Sequence, residues 1–262
     1  FTPATEGLMT RYALRASYPL RWTRSEKLTL TAALDHLDQR TDMVDFAVRM
    51  RHDRYAAVRP GLEWSGLVGG QFNVGFSTTF AQGLGGRSIE DARASGIPLS
   101  RVGASPYFSK LSASVQVSRA VASDLMLSLN LRAQTSFGTA VLTSEQFSLD
   151  GLDAVSPFLP GALSVDDGAS VRAELIRQTE IATAHGAAHV APYAFVAAGR
   201  GFIRRPTAVE RGDATVAGYG VGLRLQSPEL REALSASAHI EAGRQVSDIP
   251  GNEDEWRINA QF

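Results

Sequence analysis

The side chains that could do chemistry in this sequence are few and scattered. The imidazoles are His36, His52, His185, His189 and His239, and none of the 262 residues is a cysteine. Thiolate metal sites, disulfides and a cysteine nucleophile are therefore excluded. His185 and His189 have the i,i+4 spacing of a helical zinc pair, but they flank Gly186 in a predicted turn, where such a pair cannot form. Asp166-Asp167-Gly168 and Asn252-Glu253-Asp254-Glu255 are acidic enough to attract divalent cations and read as solvated loops. Gly83-Leu84-Gly85-Gly86 is too short for a phosphate loop, and a loop rather than a helix is expected to follow it. Arg204, Arg205 and Arg211 share one long loop, an ordinary charged surface or a contact for lipopolysaccharide phosphates. A hydrolase needs a Ser/His/Asp set at a loop rim. His36 beside Asp35 comes nearest, and no serine can be assigned to it. The reading is no enzyme, no metal and no cofactor.

The elements that carry these groups share a period of two. Tyr12, Leu14, Ala16, Tyr18 and Leu20 alternate with Arg11, Ala13, Arg15 and Ser17, as in a strand with one apolar and one wet face. The pattern recurs in Leu28, Leu30, Ala32 and Leu34, then in Val44, Phe46, Val48 and Met50, then in Phe72, Val74, Phe76 and Phe80. It continues with Leu111 to Val117, Leu125 to Ala133, Val171 to Leu175, Tyr219 to Leu225, Leu234 to Ala242, and Trp256 to Phe262. Residues 190–199 are apolar on both parities, so their facing stays open. This makes about eleven strands, each near the 9–11 residues that cross a bilayer at a tilt. Helical periodicity is absent.

Short connections, such as 122–124 and 185–188, alternate with long ones at 85–105, 145–169 and 247–255, the layout of an outer-membrane barrel. With 26 basic against 27 acidic side chains and a mean hydropathy of -0.08, the chain is neither a nucleic-acid binder nor a helical membrane protein. A soluble β-sandwich also alternates, but eleven such strands carry more aliphatic surface than a small core can receive. The wet parity holds Arg11, Arg15, Asp35, Asp45, Arg49, Arg51, Arg132, Arg172, Glu174, Arg224, Glu241 and Arg257, a mixed charge suited to a water-filled lumen. The fold class is thus all-β, a transmembrane antiparallel β-barrel. The odd strand count and Phe at position 1 lead to the expectation that strands precede residue 1.

The closing segment, Trp256-Arg-Ile-Asn-Ala-Gln-Phe262, resembles the C-terminal signal by which the assembly machinery recognises bacterial outer-membrane barrels, with Trp256, Ile258 and Phe262 in lipid-facing register. Further inward, Pro98-Leu-Ser-Arg101, Gly103-Ala104, Phe108-Ser-Lys-Leu111 and Glu145-Gln-Phe147 occur in an order similar to the haemolysin secretion/activation family, the translocators of two-partner secretion. Gly151-Leu152, Val155-Ser-Pro-Phe158, Asp166-Asp-Gly168, Val171-Arg-Ala-Glu-Leu175 and Pro192-Tyr-Ala-Phe195 continue that order, and Tyr18-Pro-Leu20 extends it to nearly the whole chain.

The resemblance implies a sixteen-stranded barrel behind two periplasmic POTRA domains, with residues 1–262 as its C-terminal eleven strands and loop 145–169 directed into the lumen. It implies a Val-Arg-Gly-Tyr/Phe loop tip whose Arg meets an Asp on a barrel strand. Here the tip reads Val155, Ser156, Pro157, Phe158, and the Asp position is Ala197. The paired loss leaves neither charge orphaned. The loop is then expected to be held by apolar anchors, Phe158 and Leu159 between Pro157 and Pro160. The implied function is export of a large unfolded haemolysin or adhesin through the bacterial outer membrane. The implied partners are that exoprotein, outer-membrane lipid and lipopolysaccharide, and the barrel-assembly machinery, with no nucleic acid. A passive porin or ligand transporter and a barrel-assembly insertase are the alternatives.

Overall fold

A computed structural model describes residues 4–159, 161–183, 186–208, 210–227, 236–248 and 255–261. Its strands are β1 (Thr5–Trp22), β2 (Glu26–Met43), β3 (Val48–Val68), β4 (Phe72–Gly86), β5 (Ser109–Ala120), β6 (Leu125–Thr135) and the short β7 (Phe147–Ser148) and β8 (Ser164–Val165). They continue with β9 (Asp167–Arg177), β10 (Thr179–Thr183), β11 (Gly186–Phe202), β12 (Asp213–Gln226), β13 (Ser237–Ser247) and β14 (Trp256–Gln261). One antiparallel sheet runs β1-β2-β3-β4-β5-β6-β9-β11-β12-β13-β14, with β10 paired to β11 alone and β7 to β8. The eleven strands of that path match the eleven alternating segments. Among the described residues β1 and β14 form the two edges, so the sheet is curved but not closed. No described helix is long and apolar enough to cross a membrane.

The faces divide as the alternation requires. Leu30 and Leu34 on β2, Leu127 and Leu131 on β6, and Tyr219 and Val221 on β12 are exposed, whereas Asp35, Ser128, Gln134 and Val216 on the opposite parity are buried. An apolar outer face and a covered polar inner face invert the arrangement of a water-soluble sheet and suit a lipid surround. The ambiguous strand β11 turns Tyr193, Phe195 and Ala197 inward and Val196 outward. Aromatic side chains mark both ends of the outer face. At the short turns Arg119 lies over the outward Phe72 ring, while a register shift after Pro19 pairs Trp22 with Lys27 on the inner parity. At the long connections Phe80 meets Phe137, and Tyr219 meets Trp256 edge to face.

Several boundaries differ from expectation. β1 and β2 have 18 residues each and β3 has 21, well beyond one bilayer crossing. The ladder needs only backbone groups, so it continues where the side chains turn polar. The third segment does not begin at Val44: residues 44–46 form a 3-10 turn, and β3 runs on to Val68. A register shift beside Arg49 pairs it with Asp42, on the parity of Leu30 and Leu34, so Arg49 does not belong to the inner row. A helix does follow Gly86: α1 (Ile89–Ser95) is closed by a Ser88/Asp91 capping box and by Gly96 at φ 69°. Pro192 costs the sheet little, because β9 pairs with β11 up to Tyr193 and β10 pairs with it from Val190, leaving a gap at the missing N–H.

The core lies between the inner face and the connections rather than between two sheets. Phe147, Leu149, Val155, Phe158 and Val165 pack on Tyr193, Phe195, Ala197 and Val216. Leu99, Ala104, Phe108, Val141 and Leu142 pack on Leu37, Tyr55, Ala57 and Ala81.

A candidate loop latch on the charged face

The connection from β6 to β9 is a built element that folds back over the inner face. Its two ends are tied first. The Ser136 backbone N–H and hydroxyl donate to Asp167 at 2.5 and 3.1 Å. The Val141 N–H donates to Asp166, which also receives Arg101. Asp150 accepts the Leu163 N–H at 2.8 Å, and Phe147 pairs with Val165, which narrows the remainder to a hairpin. The segment expected as loop 145–169 therefore contains β7 and β8 and ends where β9 begins.

At the base of this element Glu145 enters a cluster absent from the sequence reading. Arg59 donates two hydrogen bonds to its carboxylate, Tyr55 donates a third, and the Lys110 ammonium lies 2.9 Å away. Lys110 also donates to the Glu145 carbonyl at 2.8 Å, and Gln134 does so at 2.9 Å. Arg59 reaches on to Asp35 at 2.6 Å, which also takes Arg11 at 2.9 Å. Burial pushes the Glu145 carboxyl up, but the Arg59 hydrogen bonds and the Lys110 and Arg59 charges outweigh it and hold it below the ordinary carboxylate range.

The tip is held by a second cluster. Arg172 is 0% exposed and projects from β9. It donates through Nε to Glu174 at 2.7 Å, through Nη1 to the Ser156 hydroxyl at 2.7 Å and through Nη2 to Glu241 at 2.6 Å. Its guanidinium stacks 3.9 Å from the Phe195 ring centroid. The Ser156 hydroxyl donates to Glu241, which also accepts from Tyr193 at 2.6 Å. Asn259 on β14 donates to the Ser156 carbonyl at 2.9 Å, and Arg224 donates to Glu174 at 2.9 Å. Two guanidiniums thus meet two carboxylates, which is the condition for burying charge without a large penalty.

Pro157 completes the seat. A Cβ on Gly218 would lie 2.9 Å from the proline ring, and one on Gly243 2.8 Å from it. The glycines alternating with Tyr219, Val221 and Leu223 are therefore the floor that receives the tip and the Phe195 and Tyr193 rings. Alternate glycines on one parity of a strand are a sequence signal for such a close approach.

The expected site residues divide as follows. Val155, Ser156, Pro157 and Phe158 are buried at the tip, and Ala197 lies in the sheet beside it. Leu159 is 57% exposed, so it is no anchor, and Pro160 lies outside the described residues. The tip is fixed chiefly by Arg172 and Glu241, not by apolar packing alone. Arg132 stacks on Phe147 under the loop, Arg51 pairs in register with inward Thr41, and Arg257 pairs with Gly243 on the inner face. Trp256 and Ile258 are exposed on the outer face, and Phe262 lies outside the described residues.

The remaining candidates are spoken for. His36 stands outside and Asp35 inside, because adjacent strand residues face opposite ways, so they form no dyad. Asp166 and Asp167 are taken by Arg101, Arg204 and Ser136. Arg211 pairs with Asp248 at 2.9 Å, and Arg205 packs over Gly103. His185 lies outside the described residues, and among them no three His, Asp or Glu side chains converge as metal ligands.

Comparison with known proteins adds three findings. A family model described as haemolysin secretion/activation protein ShlB/FhaC/HecB matches residues 2–225. The fold is similar to that of CdiB from Escherichia coli, with a TM-score of 0.73 and 18% identity over 98% of this chain and 45% of that one. It is also similar to CdiB from Acinetobacter baumannii, with a TM-score of 0.65 and 15% identity over 98% of this chain and 42% of that one. The chain spans less than half the length of either. No curated protein matches it.

Proposed function

Since the chain belongs to the haemolysin secretion/activation family, whose members are outer-membrane β-barrel transporters of two-partner secretion, we propose that it forms the latched part of a pore exporting one large unfolded exoprotein of haemolysin or adhesin type. This is a family of secretion channels rather than of enzymes. The observation that carries the reading is the loop tip seated on Arg172 and Glu241, where it obstructs the inner face.

Export requires the tip to leave. Arg172, Glu174, Glu241 and Arg224 then remain as a balanced polar wall, joined by Arg51, Arg132 and Arg257. Such a surface solvates a passing chain without holding it tightly. The periplasm offers no nucleotide, so folding of the exported chain outside the cell supplies the direction. Trp256, Ile258 and Phe262 serve as the segment read by the barrel-assembly machinery during insertion.

None of these 262 residues is a cysteine, so an introduced pair meets no competing thiol in this part of the chain. In the full-length transporter, Pro157→Cys with Gly243→Cys places two thiols at the seat of the tip. Oxidation should stop secretion of the cognate exoprotein, and reduction should restore it. Secretion that continues with the tip locked would overturn the reading and favour a pore that does not use this loop.

A further inference from the structure

The outer face is not uniformly covered by large apolar side chains. Across five neighbouring strands it sinks into a hollow of about 510 Å³, within the size range of ligand pockets. Alanines on all five strands deepen it: Ala113 pairs with Ala133, Ala133 with Ala169, and, offset from these, Ala198 with Ala217, while Val115, Leu131 and Val171 line the rest. At its upper end, nearest the long connections, Arg200 stands beside Ala169 and opposite Thr215. The Arg200 side chain is 63% exposed, and its contact with Asp213 is long, at 3.9 Å. The rim segment from Arg200 to Asp213 is net basic, with Arg200, Arg204, Arg205 and Arg211 against Glu210 and Asp213.

We propose that this hollow binds an acyl chain of a phosphorylated, acylated outer-leaflet lipid, with Arg200 holding a phosphate of its headgroup. The proposal rests on the reading of this face as lipid-facing. Bulk hydrocarbon is served as well by Leu or Val as by Ala, so an alanine on each of five neighbouring strands makes room that an unspecific lipid contact does not need. Strands lie 4.7–4.9 Å apart, so a hollow spanning five of them is wide enough to seat an acyl chain. Charge settles which lipid. A guanidinium at the rim, with a hydroxyl across the ladder from it and a weak carboxylate contact, suits a phosphate oxyanion and gives nothing to a neutral headgroup.

The test uses the full-length transporter inserted in nanodiscs of neutral phospholipid containing bis-phosphorylated hexa-acyl lipid A. Lipid retained through detergent extraction is counted by native mass spectrometry. Arg200→Gln and, separately, Ala198→Phe, which fills the hollow with an apolar side chain, should each weaken retention about tenfold. Leu127→Phe, on the same face outside the hollow, should leave it unchanged. Dephosphorylated lipid A should bind the wild type as weakly as lipid A binds Arg200→Gln. Retention that is equal in wild type and Ala198→Phe, or that ignores the phosphates, overturns the proposal. Heat-modifiable migration separates the two levels. If the wild-type barrel does not insert, the lipid-facing reading fails; if it inserts and retains no lipid A, this proposal alone fails.

Discussion

Arg172 and Ala197 stand directly opposite each other across the β9–β11 ladder, so the cation that holds the loop tip occupies the place next to the expected acid. The ion pair has not vanished with Ser156 and Ala197. Its cation is supplied by the sheet, its anion by Glu241 on β13, and the loop contributes a hydroxyl between them.

The first prediction concerns this rearrangement. Arg172→Met alone leaves Glu241 buried with Tyr193 and Ser156 as its remaining donors and should cost about 3–5 kcal/mol, and Glu241→Gln a comparable amount. The double variant should lose less than the sum by about 1–3 kcal/mol. Urea unfolding of the full-length barrel in lipid vesicles reads all four members of the cycle. Additive costs would show that the two groups act independently.

A second prediction addresses the seat of the tip. Gly218→Val drives a side chain into Pro157 and should cost about 1–3 kcal/mol by overcrowding while raising single-channel conductance as the tip lifts. Gly75→Ala, whose Cβ meets nothing nearer than 3.9 Å, should change stability by under about 0.5 kcal/mol and leave conductance alone. Equal behaviour of the two would remove the close-approach argument.

The base of the loop should respond to acid. Glu145 titrates below its ordinary value of 4.5 in the folded chain. The stability it contributes is therefore fully present above about pH 4.5 and is lost as pH falls through the lowered folded value. Limited proteolysis with an acid-tolerant protease should find residues 136–146 protected at pH 5 and increasingly cut below it, while Glu145→Gln should be cut at both. A wild-type loop equally protected throughout would mean that Glu145 does not anchor it.

The fourth prediction is about facing. Arg placed at Leu127, Val221 or Ile240, all exposed on the outer face, should cost roughly 2–4 kcal/mol in a bilayer. Gln116→Arg, on the inner parity of β5, should be tolerated. Vesicle folding yields at matched lipid ratios distinguish the two sets, and indifference to face would contradict a membrane sheet.

The strand number and the facing were legible because one physical rule, alternation about a bilayer, acts on every strand alike. What escaped depends on distant segments meeting. Arg59, Lys110 and Tyr55 look like ordinary members of their strands until Glu145 folds back onto them. Arg49 was misplaced because a register shift exchanges faces and leaves no mark in composition. Helix α1 was within reach, since Ser88, Asp91 and Gly96 carry its start and stop signals; it was missed because seven residues are too few for a period to emerge. The latch itself was half visible. The repetition at Gly218, Gly220 and Gly222 asks what fills the space above them, but a glycine does not name the side chain that approaches it.

The tip at Ser156 lies eleven positions after Glu145, whose carbonyl accepts Gln134, and ten before Asp166, which is held by Arg101. If the β7–β8 ladder opens with it, the shorter tether of a released tip, about ten residues, spans about 33–36 Å when fully extended. That exceeds the roughly 30 Å hydrocarbon thickness of a membrane. The flap can therefore sweep the whole depth of the pore while both hinges stay fastened, and its return to the seat is an intramolecular search over a short leash rather than a refolding event.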